Sequence, residues 1–424
     1  MDIKSIILAA GKGTRMKSNT PKVLHKIMDK TLLGYVLDNV KNIADESFVI
    51  VGHHAEEVEK FLGENYENAK AVLQSPQLGT GDAVSKACPF LKDYKGLVLI
   101  LCGDIPLIKE ETLKDLIEFH TSKKSALTIV SAIVEDPSNY GRIIRENDGS
   151  LKAIVEEKDT TQEQKAVKEI NAGIYCLDWA KISPAFNQLT SNNAQGEYYL
   201  TDIVEWGKKN KFTVNAYILK NNEEMFGINS RLQLAEATKI MNKRKLNELM
   251  ENGVTIVDPD STWISEDTEI GKDTIIYPST YLEGKNKIGE NCKIGPFAHF
   301  RGGVEVADNV KIGNFVEVKK SKINSNTNAG HLSYIGDSEI GEHVNIGAGT
   351  ITANYNPITK VKSKTILHDN VKIGSNAVLV APVELQEWVN VGAGSVITKN
   401  VEKNSLALTR SPLRVIKDWV KNLK

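Results

Sequence analysis

From Gly253 onward, apolar residues recur at every sixth position, often with glycine next: Ile288-Gly289, Ile294-Gly295, Phe300, Val306, Ile312-Gly313, Val318. The ladder resumes at Ile340-Gly341, Ile346-Gly347 and Thr352, then at Leu367, Ile373-Gly374, Leu379, Leu385, Val391-Gly392 and Ile397. A single Ile-Gly pair carries no information, but this many in register constrain the chain severely. A period of six predicts a hexapeptide β-helix, in which each short flat strand points one residue inward and then turns a corner. Three corners complete a coil, so about eight coils stack here. Residues 319–335 interrupt the period, and His331 lies in that interruption.

The first half reads differently. Strand-like segments at Ile3–Ala9, Ser47–Val51, Gly96–Leu101, Ala126–Ala132 and Asn171–Leu177 alternate with helical patterns at Leu32–Ile43, Val58–Leu62, Gly81–Ala87 and Thr112–His120. Such alternation predicts an α/β domain with a mostly parallel sheet covered by helices. The polar, helix-favouring stretch Ser230–Glu251 reads as a connector. The expected division is therefore 1–226, a helical linker over 227–252, and the β-helix over 253–424.

With 424 residues and a net charge of -1, nothing in the balance argues for nucleic acid or a membrane surface. The apolar run before Gly11 is too short for a signal-peptide core, and no stretch approaches the length of a membrane span. Cys88, Cys102, Cys176 and Cys292 lack metal spacing or a disulfide-like pattern. A reduced, cytoplasmic location is expected.

The chemistry of the first half begins at Leu8-Ala9-Ala10-Gly11-Lys12-Gly13-Thr14-Arg15-Met16. An apolar strand that breaks into Gly-x-Gly with Lys and Arg close behind turns backbone N–H groups toward phosphate oxygens. The spacing is not that of a P-loop, and a Rossmann fingerprint needs glycine where Met16 stands. Leu101-Cys102-Gly103-Asp104-Ile105-Pro106 ends an apolar strand on a carboxylate. Asp104 there suits a Mg²⁺ ion bridging phosphates, or equally the N-cap of a following helix. Gln74 and Gln77, in Gln74-Ser75-Pro76-Gln77-Leu78-Gly79-Thr80-Gly81, carry donor and acceptor side by side, matching the imide edge of uracil. In the second half, Ala329-Gly330-His331-Leu332-Ser333-Tyr334 offers a histidine, a residue type suited to general-base work.

These motifs, with Thr20-Pro21-Lys22, Asn139-Tyr140-Gly141, Val155-Glu156, Ile170-Asn171 and Ile228-Asn229, resemble those of nucleoside-triphosphate:sugar-1-phosphate uridylyltransferases. The order of the two halves resembles bacterial bifunctional UDP-N-acetylglucosamine pyrophosphorylase/glucosamine-1-phosphate acetyltransferases over nearly the whole chain. The resemblance implies a Rossmann-like nucleotidyltransferase domain, a linker helix and a left-handed parallel β-helix. It implies acetyl transfer from acetyl-CoA to glucosamine-1-phosphate, then uridylyl transfer from UTP to N-acetylglucosamine-1-phosphate. The product is a precursor of peptidoglycan and lipopolysaccharide.

By the same resemblance, Leu8, Ala9, Ala10, Gly11, Gln74, Gln77, Gly79, Thr80, Cys102 and Gly103 surround the nucleotide. Lys12 and Arg15 hold the leaving pyrophosphate, and Lys22 lies against the α-phosphate. Asp104 and Asn229 hold Mg²⁺, and Gly141, Glu156 and Asn171 contact the sugar. In the β-helix, His331 is the implied base, Arg301 and Lys319 hold the 1-phosphate, and Tyr334 and Asn345 touch the sugar. Ala348, Asn354, Tyr355, Ser375, Ala393 and Arg410 match acetyl-CoA positions, within a homotrimer whose neighbouring chains share each acetyl site. The sequence departs from the family in having fewer coils before Arg301, Gly302-Gly303 after it, and Asn356-Pro357 in a longer loop after Tyr355. The alternative is a monofunctional sugar-1-phosphate nucleotidyltransferase whose β-helix is structural or regulatory.

Overall fold

Ile3–Leu8 is buried on both faces: Ile3 and Ile7 pack into one apolar core and Ile6 into another. A strand flanked by two cores sits inside a sheet covered on both sides. In the computed structural model, which describes residues 2–409 and 411–423, it pairs in parallel with Glu46–Val51 on one edge and Leu97–Cys102 on the other. The sheet order is Val214–Ile218, Leu127–Ile133, Glu169–Asp178, Leu97–Cys102, Ile3–Leu8, Glu46–Val51, Ala69–Leu73. Only Glu169–Asp178 runs antiparallel to its neighbours along this path. A hairpin, Arg142–Arg145 with Leu151–Val155, joins beside it.

Helices Leu32–Val40, Ala55–Asn65 and Glu110–Ser122 supply one core, through Val36, Leu62 and Leu116 among others. Thr80–Ser85 and Asp202–Lys209 supply the other, through Val84 and Ile203. The carboxyl ends of the two central strands lie side by side, Leu8 opposite Cys102, and both feed the loops that carry the phosphate and acidic motifs. That is the crevice where open α/β sheets bind ligands.

The chain forms two compact units, Met1–Thr238 and Lys239–Lys424, and the division falls within helix Arg231–Glu251. The second unit contains three parallel sheets of nine, eight and seven short strands, the faces of a β-helix. Inward residues such as Ile294, Phe300, Ile312 and Val318 are fully buried. Lys293 pairs with Lys311, one eighteen-residue coil on.

The expected interruption at 319–335 is not a break in the coil. Lys311 pairs with Asn328 and Asn328 with Asn345, so two successive coils close in seventeen residues rather than eighteen. One corner in each is a residue shorter, at Val318 to Ile323 and at Ile335 to Ile340, and the inward positions between fall at Ile323, Ala329 and Ile335, all fully buried. The period is hidden in the sequence because a five-residue step replaces one six in each coil, and because Ala329 stands where a larger aliphatic residue is usual. A second irregularity is real: Ser338 pairs with Thr365, a coil of twenty-seven residues that extrudes the segment after Ala353. Among the described residues, no helix is long and apolar enough to cross a membrane.

Candidate functional site

A cavity of about 460 Å³ opens at the ends of the two central strands. It is lined by Leu8, Ala9, Ala10, Gly11, Lys12, Lys22, Gln74, Gln77, Gly79, Thr80, Cys102 and Asp104, and also by Val23, Ala83 and Glu197. The phosphate loop is anchored by Met16, which is buried in a short turn, Thr14–Met16. Burying such a side chain stabilises by about 1.5–3 kcal/mol, a contribution the glycine of a Rossmann fingerprint cannot make. Gly13 has φ +59°, and a Cβ on it would lie 2.8 Å from Cβ of Lys22. The second glycine of the loop thus lets the Lys22 stem pack directly against it. Arg15 is exposed and lies off the cavity lining.

Gln74 is buried, and its Nε2 donates to Gly79 O at 2.9 Å and to Asp82 Oδ2 at 2.8 Å. Gln77 Nε2 donates to Ala10 O. Gln74 therefore spends both amide N–H groups on the fold and keeps its carbonyl oxygen as an acceptor, whereas Gln77 spends one N–H and keeps a donor and an acceptor side by side. Gly79 has φ +117°, and a Cβ there would lie 2.6 Å from Tyr198 O. Only glycine admits the chain at this point, which brings Glu197 beside the cavity. Nothing in the local sequence pattern singles Glu197 out.

Lys22 extends into the same crevice. Its ammonium donates to Asp104 Oδ2 and, at 3.0 Å, to Asn229 Oδ1. Asn229 is brought there by backbone: Ile228 N donates to Asp104 O at 2.9 Å, and Asn229 N donates to Gln233 Oε1 at 2.8 Å. Asp104 is not an N-cap, since the next helix begins at Glu110 with Lys109 before it. Gly103 N donates to Leu8 O at 2.9 Å, locking the turn that presents Asp104. Burial, then the Asp104 charge, pushes the Cys102 thiol up to about 12, so it stays protonated.

Gly141, Glu156 and Asn171 meet at the hairpin. Asn171 N donates to Gly141 O at 2.8 Å, and the Glu156 carboxylate lies 3.4 Å from where a Gly141 Cβ would stand. Asn171 Oδ1 accepts from Gly173 N at 3.0 Å, and its Nδ2 donates to Tyr175 Oη at 2.8 Å. Burial raises the Glu156 pKa, opposed by a hydrogen bond from Thr201 Oγ1 at 3.1 Å. Glu156 also lines a second cavity of about 550 Å³ with Asp159, Tyr199, Asp202 and Trp206.

On the β-helix, the register carries Lys311, Asn328, Asn345, Lys372 and Asn390 in one row. Three residues beyond them lie Asn314, His331, Ala348, Ser375 and Ala393, a second row at the ends of these strands, with Asn314 opposite His331. His331 Nδ1 meets Asn314 Oδ1 at 2.9 Å. An amide oxygen only accepts, so Nδ1 carries the proton and Nε2 presents its lone pair. Asn314 was legible in principle: Gly313-Asn314 and Gly330-His331 are one coil apart.

Glu317 pairs with Tyr334 across the next face, and Arg301 donates to Glu317 Oε1 at 2.9 Å. Glu317 raises the Arg301 pKa, while the charges of Arg301 and then Lys362 lower that of Lys319. Arg301, Lys319 and Lys362 thus share one cationic surface. Lys362 lies in the extruded segment, antiparallel to Tyr355. Asn354 donates to Asp337. Arg410 lies outside the described residues.

The family model described as Nucleotidyl transferase matches residues 4–224. That of Bacterial transferase hexapeptide (six repeats) matches 287–320 and 364–399. A "Bifunctional protein GlmU" of Acetivibrio thermocellus is 44% identical over 99% of this chain and 97% of its own length. That of Alkaliphilus metalliredigens is 44% identical over 99% and 98%, and that of Thermoanaerobacter pseudethanolicus 46% over 98% and 97%.

Proposed function

The chain belongs to the bifunctional GlmU family, and from that premise we propose how its residues divide two reactions. It is a bifunctional enzyme of UDP-N-acetylglucosamine synthesis, a glucosamine-1-phosphate N-acetyltransferase and an N-acetylglucosamine-1-phosphate uridylyltransferase. Sugar phosphates and a nucleotide are its substrates, and the nucleotidyltransferase half is metal-dependent.

In the acetyl half, the amine of glucosamine-1-phosphate attacks the thioester carbon; an N–C bond forms, the C–S bond breaks and the CoA thiol leaves. His331 Nε2 takes the amine proton while Asn314 holds the ring. Arg301 and Lys319 hold the 1-phosphate, with Tyr334 and Asn345 on the sugar. Acetyl-CoA lies along the row Ala348, Ser375 and Ala393, with Asn354, Tyr355 and Arg410 completing its contacts. Small side chains there let a ligand lie close to the coil wall.

In the uridylyl half, the sugar phosphate attacks the α-phosphorus in line and pyrophosphate leaves. Positioning and charge neutralisation dominate such a step. Lys12 and Arg15 hold the leaving group, Lys22 the α-phosphate, and Gln74 and Gln77 face the imide edge of the uracil. Asp104 and Asn229 converge on one ammonium, so their two hard oxygens would also hold one Mg²⁺. When bound, that ion supplies charge neutralisation at the phosphates. Glu156 and Asn171 pair the sugar hydroxyls. A homotrimer and a cytoplasmic location complete the proposal, as does a division into 1–226, a linker over 227–252, and 253–424.

The observation that carries this reading is the convergence of the phosphate loop, both glutamines and Asp104 on one cavity. Its test is two assays on the full chain. Pyrophosphate release from UTP with N-acetylglucosamine-1-phosphate and Mg²⁺ is expected, as is thiol release from acetyl-CoA with glucosamine-1-phosphate. No pyrophosphate would overturn the uridylyl assignment.

A further inference from the structure

Lys22 sits where a metal ion is assigned. Its ammonium is held by both Asp104 Oδ2 and Asn229 Oδ1, and the Lys22 and Asp104 side chains are only 14% and 15% exposed. A lysine that merely awaits a phosphate has no reason to bind both of those oxygens. A half-buried carboxylate without a cation is costly, so some positive group must hold this pair together. A divalent ion and an ammonium cannot share the same two oxygens, because they repel at such distances.

We propose that Lys22 is an internal counter-cation of the metal site, resting on the assignment of Asp104 and Asn229 as metal ligands. Without substrate it holds the two oxygens at one point. When a divalent ion enters with the nucleotide, the ammonium is expelled and moves to the phosphates. No bond is made or broken; one cation replaces another. The surroundings allow such a movement of the side chain's end while fixing its base. Gly13 packs against Lys22 Cβ, and Lys22–Leu24 forms a short turn. The turn is tied to the Asn229 segment a second time, through His25 Nδ1 and Arg231 Nη1 at 3.3 Å. The ammonium alone, at the end of four flexible carbons, is free to swing.

The exchange makes metal and nucleotide binding cooperative. Metal alone competes with Lys22, whereas metal with UTP offers the displaced ammonium a new partner. Mn²⁺ is the probe, with free ion read by electron paramagnetic resonance on the full chain, with and without UTP. Lys22→Met is expected to bind Mn²⁺ without nucleotide at least about tenfold more tightly than the unaltered protein. Lys22→Gln keeps a polar contact and serves if the first variant fails to fold; it should show the same gain. Equal or weaker Mn²⁺ binding in the folded variant would overturn the proposal. Asp104→Asn separates the two layers: if UTP-dependent Mn²⁺ binding beyond that of UTP alone survives in it, the metal assignment itself fails. If that binding is lost while Lys22→Met shows no gain, only the counter-cation role fails.

Discussion

His331 Nδ1 and Asn314 Oδ1 lie 2.9 Å apart across a single coil. The coil, rather than a loop, sets the tautomer of the histidine. His331→Ala is expected to lower acetyl transfer by about 10²–10⁴-fold, the usual contribution of a general base. Pyrophosphate release should stay near the unaltered rate. Asn314→Ala should cost roughly tenfold in thiol release, because the ring then samples the wrong tautomer. Loss of both activities in His331→Ala would argue against separate sites.

Gly13→Ala tests the packing beneath Lys22. An L-residue in the left-handed region costs about 1–2 kcal/mol. The added methyl also meets the Lys22 stem, at 2.8 Å. Uridylyl transfer should fall by about tenfold or more, with the melting temperature lowered and thiol release by the β-helix half unchanged.

Removing divalent metal with a chelator should stop pyrophosphate release, a loss of about a hundredfold or more, given the several kcal/mol a metal supplies. Thiol release should continue, since His331, Asn314, Arg301 and Lys319 need no metal. Re-addition of Mg²⁺ restores the first activity. A chelator that stopped both would place a metal in the acetyl site.

Asp202 lines the second cavity, and burial, with the charges of Glu205 and Asp159, raises its pKa from 3.8 to about 6. The folded state therefore keeps this proton when the unfolded chain has already lost it. The contribution is most favourable at low pH, declines as pH rises from about 4 to about 6, and is constant above. The span corresponds to at most about 3 kcal/mol; solvent around a half-buried group reduces it to about 1 kcal/mol. Asp202→Asn should lack this decline, so its melting temperature relative to the unaltered protein rises between those pH values. A flat difference would show that Asp202 is solvated.

Much of the scaffold was legible because apolar burial leaves a period. Ile3–Leu8, Leu97–Cys102 and the six-residue ladder all announced themselves that way. The phosphate loop and the glutamine segment were legible as strings, and the fold gathers them at one cavity. Other features depended on closeness without local pattern. Glu197 reaches the cavity because Gly79 admits the Tyr198 backbone. The Lys22–Asn229 contact joins residues 207 positions apart. The shortened coils at 319–335 misled because Ala329 is a small inward residue and one step in each is five.

The coil of twenty-seven residues lies between neighbours that keep their pairing: Ser338 meets Thr365, and Thr365 meets Val383. Nine extra residues are added without changing how the stack is wound. Lengthening a surface loop costs little, about 0.6 kcal/mol per doubling. The loop between Tyr355 and Lys362 can therefore change in length while the row from Asn314 to Ala393 stays fixed. Such an arrangement uncouples the length of the loop from the geometry of the wall it springs from, so one can change without disturbing the other.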